Sequence, residues 1–461
     1  TGQNGREDRT GHRPEEHRES LQPGSLIMKL PQLITATLLL SSWGHAATFP
    51  VTFPHSPAPG WTVDWVSTDS GEVVSSQPWP EQGGVLNSPD VKLDVFAHAH
   101  APNLTAGQVE NCVGVQIRNQ GWCQDGKAFL PIGMNRRQLY YPFTNRNQWT
   151  AETYMKELQK RGGNTFRVFS MPEFESPAGT YDDFALYAYD QMLTTADQLG
   201  IHIIFSLIDL AAMYSDFSGD PYSVFNGGPF QKHEEIYGSE EGIRLIKNRI
   251  QFLVEKLHHH KSIIAWEIGN EADIISAKTE TAKEQTEQAM LVLARHIKEV
   301  DPSHKPVTAS LLGESVWPKV FSSPDIDFIQ YHSYATSNRE VLPGVLRNDA
   351  EQSAKFGKHV LIGEYGAYRA DPDRHIFLKT GLWAAMSQGM SIFPWVSASD
   401  AFGELFDEDL DLYQPLAKVA AGIDWTRPIK LRNFDFAAPG ATVLASQLGN
   451  EEVLIYVHPQ R

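Results

Sequence analysis

The chain has 461 residues, of which 41% are hydrophobic, 11% aromatic and 21% charged; that is enough apolar material for one large folded domain with smaller additions, and too much for a disordered chain. Its formal net charge of −17 leaves no basic surplus to neutralise phosphates, which excludes a nucleic-acid backbone as the expected partner. Eleven tryptophans suit stacking on the C–H face of a sugar ring as well as ordinary packing.

Residues 1–27 are polar, begin with Thr, and read as an upstream segment outside the mature protein. Met28-Lys29, the apolar run Leu33 to Leu40 and the small residues of Gly44-His45-Ala46-Ala47 form a signal-peptide pattern over 28–47, so the mature protein is expected to be secreted or periplasmic, with no membrane contact after cleavage. Residues 48–124 are rich in Pro, Gly and Ser, with short strands predicted at Trp61 to Val66, Val91 to Phe96 and Val113 to Ile117; they read as a small β-rich module. Cys112 and Cys123 lie there. In an exported chain, two nearby cysteines point to a local disulfide rather than a metal site or a catalytic thiol.

Over 125–425 the pattern becomes apolar strand, polar loop, amphipathic helix, repeated. Strands are predicted from Phe129, Thr165, Ile201, Ile263, Pro306, Phe328, Val360 and Ser391, and no Gly-rich phosphate loop follows the first of them. The expected fold is therefore α/β, a (β/α)₈ TIM barrel rather than an open doubly wound sheet. Helices predicted at Trp149 to Arg161, Tyr187 to Leu199 and Ile376 to Gln388 each stop at glycine. The long interval after the third strand, Asp209 to Gly238, leaves on the C-terminal face and is expected to shape a cleft. Residues 426–461 hold a hairpin, Thr442 to Gln447 and Val453 to His458. They read as a short β appendage, either complete or the front of a larger domain cut short, with the second favoured.

Two predicted strands end in carboxylates: Ile263-Ile264-Ala265-Trp266-Glu267-Ile268-Gly269-Asn270-Glu271, and His359-Val360-Leu361-Ile362-Gly363-Glu364-Tyr365. A charge closing a buried strand is costly unless something uses it, and a pair on one face of a barrel suits glycoside cleavage. Other polar residues close strands in order: Arg167 the second, Asn270 beside Glu271, His332 and Tyr334 the sixth, Trp395 the eighth. Glu267, four positions before Glu271, reads as a structural carboxylate inside the barrel. His258-His259-His260 reads as a helix end whose cations complement the dipole; neither it nor His98 and His100 is taken as a metal site, and no cofactor is expected.

The ordered set Arg167, Asn270-Glu271, His332-Ser333-Tyr334, Glu364 and Trp395 resembles the clan A glycoside hydrolases, family 5 in particular, the cellulase and β-mannanase family, over about Val113 to Trp425. The resemblance implies a retaining double displacement with Glu364 as nucleophile and Glu271 as acid/base. It also implies that Arg167 and Tyr334 hold Glu364, that Asn270 meets the sugar 2-hydroxyl, that His332 lines the subsite and that Trp395 forms a stacking floor. Two positions depart from the family pattern. Ala272 stands where proline usually follows the acid, and Ser206-Leu207-Ile208-Asp209 lacks a histidine often seen after the third strand. Asp125-Gly126-Lys127 and Asn164-Thr165-Phe166-Arg167 are similar to β-mannanase segments, which puts β-mannan ahead of β-glucan as substrate. The rivals are an exo-acting β-glycosidase and a non-catalytic sugar-binding protein on a degenerate barrel.

Overall fold

The computed structural model describes residues 48–460 except 91–93, 105–108, 110, 141–149, 172–173, 210–216, 275–278, 313–316, 335–337, 367–370 and 396–406. The upstream segment and the signal-peptide reading of 28–47 lie outside the described residues.

Eight parallel strand positions form the barrel. The first five, Gly133–Asn135, Thr165–Phe169, His202–Ser206, Ile263–Glu267 and Val307–Thr308, pair in sequence order. The fifth resumes after Ala309 as Ser310–Leu311, which pairs with Ile329–His332, followed by Val360–Tyr365 and Ser391–Pro394. The first strand closes the ring through its own side chain: Asn135 Nδ2 donates to the carbonyls of Gly363 (2.7 Å) and Pro394 (3.1 Å). On its other side the first strand needs Gly133, because a Cβ there would sit 1.7 Å from the Thr165 carbonyl oxygen of the second strand.

The helices follow from their sequence signals. Asp182 caps Asp183–Leu199 by accepting from the backbone N–H groups of Phe184 and Ala185, and Gly200 ends it at φ 69°. Its buried residues, Tyr189, Met192, Leu193 and Ala196, recur at helical spacing and face the sheet.

The segments read as an N-terminal module and a C-terminal appendage meet in a single sheet. Its order is Ile429–Leu431, Ala441–Leu448, Glu452–Pro459, Val95–His100, Thr62–Ser67, Val73–Pro78, with Glu452–Val457 antiparallel to Val95–His100. Alternation along each strand divides the work. Val95, Ala97, Val453 and Ile455 pack with Trp61, Trp65, Trp79 and Phe53, toward the two-stranded sheet Pro50–Phe53/Gly84–Asn87. Phe96, Leu454 and Tyr456 join the barrel's main core, where Phe96 meets Trp383 at 5.2 Å. A strand buried on both faces explains why Val453 to His458 is apolar nearly throughout.

A three-stranded sheet, Val115–Arg118, Gly121–Gln124 and Lys127–Phe129, plugs the barrel's N-terminal end. Trp122 packs there on Ile204, Ile264, Phe328, Leu361 and Phe393. Cys112 and Cys123 are joined by a disulfide in this cap. Asp125 and Gly126 have φ 48° and 84° and make its hairpin turn, so the Asp-Gly-Lys segment that hinted at mannan is a turn at the end away from the glutamates.

Candidate active site

The centre of the site is a buried arginine. Arg167 is wholly buried on the second strand and donates through every nitrogen. Nε and Nη2 grip both oxygens of Glu267 at 2.7 Å, Nη1 reaches Glu364 Oε1 (2.7 Å) and Asn135 Oδ1 (2.9 Å), and Nη2 also reaches Asn270 Oδ1 (2.7 Å). The planar fork matches a carboxylate two bonds at a time, which an ammonium could not do. Burial disfavours the guanidinium charge, but Glu267 and Glu364 more than offset this and raise its pKa above the usual value. Glu267 also accepts from Gln330 Nε2 (2.8 Å) and Ser310 Oγ (2.9 Å). Against the cost of burial, Arg167 holds Glu267 below the ordinary carboxylate range. Glu267 is thus the ion that keeps Arg167 in place.

Glu271 leaves its strand in a left-handed turn with φ 52°, a conformation that costs about 1–2 kcal/mol outside glycine and persists only where neighbours impose it. Three bonds do so. The Glu271 N–H donates to Ser310 Oγ (2.9 Å), the Ala272 N–H to the Ser310 carbonyl (3.1 Å), and the Asn270 N–H to the Ile208 carbonyl (2.9 Å). Proline at 272 would have no N–H for the second of these, so the alanine ties the acid loop to the fifth strand.

His332 lies between the two glutamates. Its Nδ1 is 2.8 Å from Glu271 Oε1 and 3.4 Å from Glu364 Oε2. A carboxylate oxygen from each glutamate and this ring nitrogen all fall within 4.8 Å of one another. Burial pushes the imidazole down to about 4, so the ring is neutral, and a proton on Nδ1 serves the carboxylates. His332 is fully buried and bridges the pair from below, where the sequence had placed it lining a subsite. Tyr334 Oη donates to Glu364 Oε2 at 2.9 Å. Trp395 is half-buried at the end of the eighth strand, edge-on to Phe169 at 6.1 Å, and the Phe169 ring lies under the Arg167 guanidinium at 4.4 Å.

The electrostatics separate the two acids. Burial, reinforced by the charges of Asp209 and Glu267 and opposed by Arg167 and Arg137, pushes Glu271 up to about 7. Burial also raises Glu364, with the Glu271 charge adding to it and His332 and Arg167 opposing. Two carboxyls this close do not both ionise at once. Glu364 has a guanidinium and a phenol aimed at it, so the shared negative charge is best held there.

Asp209 occupies the place of the missing histidine. Its backbone bridges to Asn270, it is 2% exposed, and it accepts from Arg137 Nε at 2.5 Å. Beyond it, 210–216 lie outside the described residues, while Tyr222 in the same long loop donates to Glu175 Oε2 (2.8 Å), the buried partner of Arg249 (3.1 Å). Sequence reasoning missed Asn135, Ser310, Gln330 and Arg137. A polar residue inside an apolar strand, as in Phe328-Ile329-Gln330-Tyr331 or Ala309-Ser310-Leu311, is the signal that marks two of them.

The cellulase family, glycosyl hydrolase family 5, matches residues 123–399, more than half of the chain. The chain belongs to glycosyl hydrolase family 5. It is 22% identical over 397 residues to mannan endo-1,4-beta-mannosidase F of Aspergillus clavatus, covering 74% of this chain and 84% of that protein. Its fold is shared with the endo-beta-1,4-mannanase of Thermotoga petrophila, at TM-score 0.54 and 16% identity over 70% of this chain and 84% of the other. The fold is shared also with a family 5 mannosidase of Rhizomucor miehei, at TM-score 0.53 and 14% identity over 66% and 97%. As a family 5 member the protein is an O-glycosyl hydrolase, and its (β/α)₈ barrel presents the two glutamates at the strand ends where barrel enzymes carry their chemistry.

Proposed function

We propose that this family 5 hydrolase is a secreted, retaining β-mannanase that cleaves within β-linked mannan chains. The observation that carries the mechanism is the approach of Glu271 and Glu364 oxygens to within 4.8 Å. Retaining enzymes hold their carboxyls about 5–5.5 Å apart, and inverting ones about 6.5–9.5 Å, to leave room for a water between them.

In the first step an oxygen of Glu364 bonds to the anomeric carbon while the glycosidic C–O bond breaks, and Glu271 gives its proton to the departing oxygen. In the second, Glu271, now a carboxylate, takes a proton from water. The water oxygen attacks the same carbon, and the bond to Glu364 breaks with its electrons returning to the carboxylate. Two displacements leave the anomeric configuration as it began. In this reading Asn270, held by Arg167, meets the 2-hydroxyl, and Trp395 stacks on the sugar. Mannan as substrate is supported by the names of the relatives, and export by the Met28 to Ala47 pattern.

The test uses a dinitrophenyl β-mannoside, whose leaving group departs without protonation. Glu271→Ala should lose most activity on mannan yet still form the glycosyl-enzyme, and added azide should restore turnover to a β-mannosyl azide. Glu364→Ala should lose both activities. Failure of azide to rescue Glu271→Ala would overturn its role as acid/base, and glucan cleaved faster than mannan by the parent enzyme would overturn the substrate.

A further inference from the structure

We propose that Asp190, His259 and His260 form a binding site for a divalent transition-metal ion of the zinc type, at the end of the barrel opposite the glutamates. His260 follows the helix Glu240–Leu257 and precedes the fourth strand, so it lies at the strand's other end from Glu271. It is 3% exposed. Its Nδ1 is 2.7 Å from Asp197 Oδ2, and the other Asp197 oxygen accepts from the Ser262 N–H at 2.6 Å. That carboxylate fixes the ring and keeps the proton on Nδ1, the arrangement by which proteins orient metal-binding imidazoles.

The other ring nitrogen, Nε2, faces Asp190 Oδ1 at 3.1 Å. That gap can be closed by a proton on Nε2 or by a metal ion that displaces the proton. A zinc-type ion at about 2.05 Å from each would subtend roughly 98° across that gap, near the tetrahedral angle. The ring of His259 lies over that of His260 with centroids 4.2 Å apart, and a donor atom from each of Asp190, His259 and His260 lies within 4.8 Å of the others. His259 is exposed and Asp190 half-buried, so both can close the remaining distance by side-chain rotation, with water as fourth ligand. Two imidazoles and one carboxylate favour zinc, nickel or copper over magnesium or calcium. The ion would tie the helix Asp183–Leu199 to the turn before the fourth strand, a structural role remote from the reaction.

The experiment is calorimetric titration of EDTA-treated protein with zinc chloride, in parallel for the parent, His259→Ala, Asp190→Asn and Glu271→Gln. The two surface positions are chosen because neither change disturbs the core. The expected result is one zinc bound with a Kd below about 100 µM, weakened at least about tenfold by His259→Ala and by Asp190→Asn and unaffected by Glu271→Gln. Binding lost in Glu271→Gln but kept in the other two would place the ion among the catalytic carboxylates and overturn the proposal. Parent protein that binds no tighter than about 1 mM would also overturn it, leaving Asp190, His260 and Asp197 as an ion-pair network closed by a proton.

Discussion

Replacing Tyr334 with phenylalanine removes one atom from the site and tests which glutamate carries the charge. Among the described contacts, the lost interaction at Glu364 is the O–H bond of 2.9 Å to its Oε2. Hydrogen bonds to charged groups contribute about 1.5–3 kcal/mol, and at about 1.36 kcal/mol per pH unit their loss raises the pKa of the acceptor by roughly one to two units. The sign follows from the proposed double displacement, with Glu364 as nucleophile. Glu364 must be ionised to attack, so activity rises with pH through its titration, and a higher pKa moves that acid limb upward. The measurement is kcat/KM against pH with a dinitrophenyl β-mannoside, for which no proton need be donated to the leaving group, so the acid limb belongs to the nucleophile. Well below the shifted limb the variant should be about 10- to 100-fold slower than the parent. Both limbs are macroscopic values of a coupled pair, but removal of a bond from one partner still fixes the direction of the change. An acid limb that stays in place, with activity within about twofold at all pH values, would show that Tyr334 does not support the charge on Glu364.

With mannan as substrate, Glu271 must be protonated and sits at about 7, so the alkaline limb should fall near neutrality. Asp209→Asn removes one of the charges that raises Glu271 and frees Arg137 to act on it, so this limb should move to lower pH; movement upward would refute the coupling. Glu175→Ala strands the buried Arg249, a loss of about 3–5 kcal/mol, and calorimetry should find the melting temperature lower by roughly 4–6 °C for a chain of this size. Alkylation followed by mass spectrometry of exported, unreduced protein should leave both Cys112 and Cys123 unmodified, and two labelled cysteines would contradict the disulfide seen in the cap.

The barrel was legible because its strands are mostly apolar and its helices carry caps and glycine stops: Thr165–Phe169 falls where the sequence puts it, and Gly200 and Gly389 take the positive φ that their positions imply. The glutamates were legible for a related reason, since a carboxylate ending an apolar run has few structural explanations. Harder to read were residues whose role depends on partners distant in sequence. Gln330 looks like a polar interruption until Glu267 is placed beside it, and Ser310 like filler until the Glu271 turn needs an acceptor. Asn164 looked like part of a substrate signature. In the fold its side chain accepts from the Ile132 N–H and donates to the Leu130 carbonyl, stitching the first two strands together. The pairing of Val95–His100 with Glu452–Val457 lies beyond any local signal, because strand patterning shows which residues face a core but not which strand lies alongside.

That pairing makes the order of synthesis matter. Residue 100 leaves the ribosome 352 residues before residue 452, and at about 5–20 residues per second the wait is roughly 20–70 s. Throughout that time Val95–His100 can pair on one side with Thr62–Ser67, while its other edge, with Phe96 still uncovered, stays open to any passing strand. The whole barrel is made during the interval. Its helix Arg374–Ser387, carrying Trp383, is the surface on which Phe96 finally rests. The sheet therefore cannot be completed until the barrel segment has been made, and that early edge has to stay unpaired until its partner arrives.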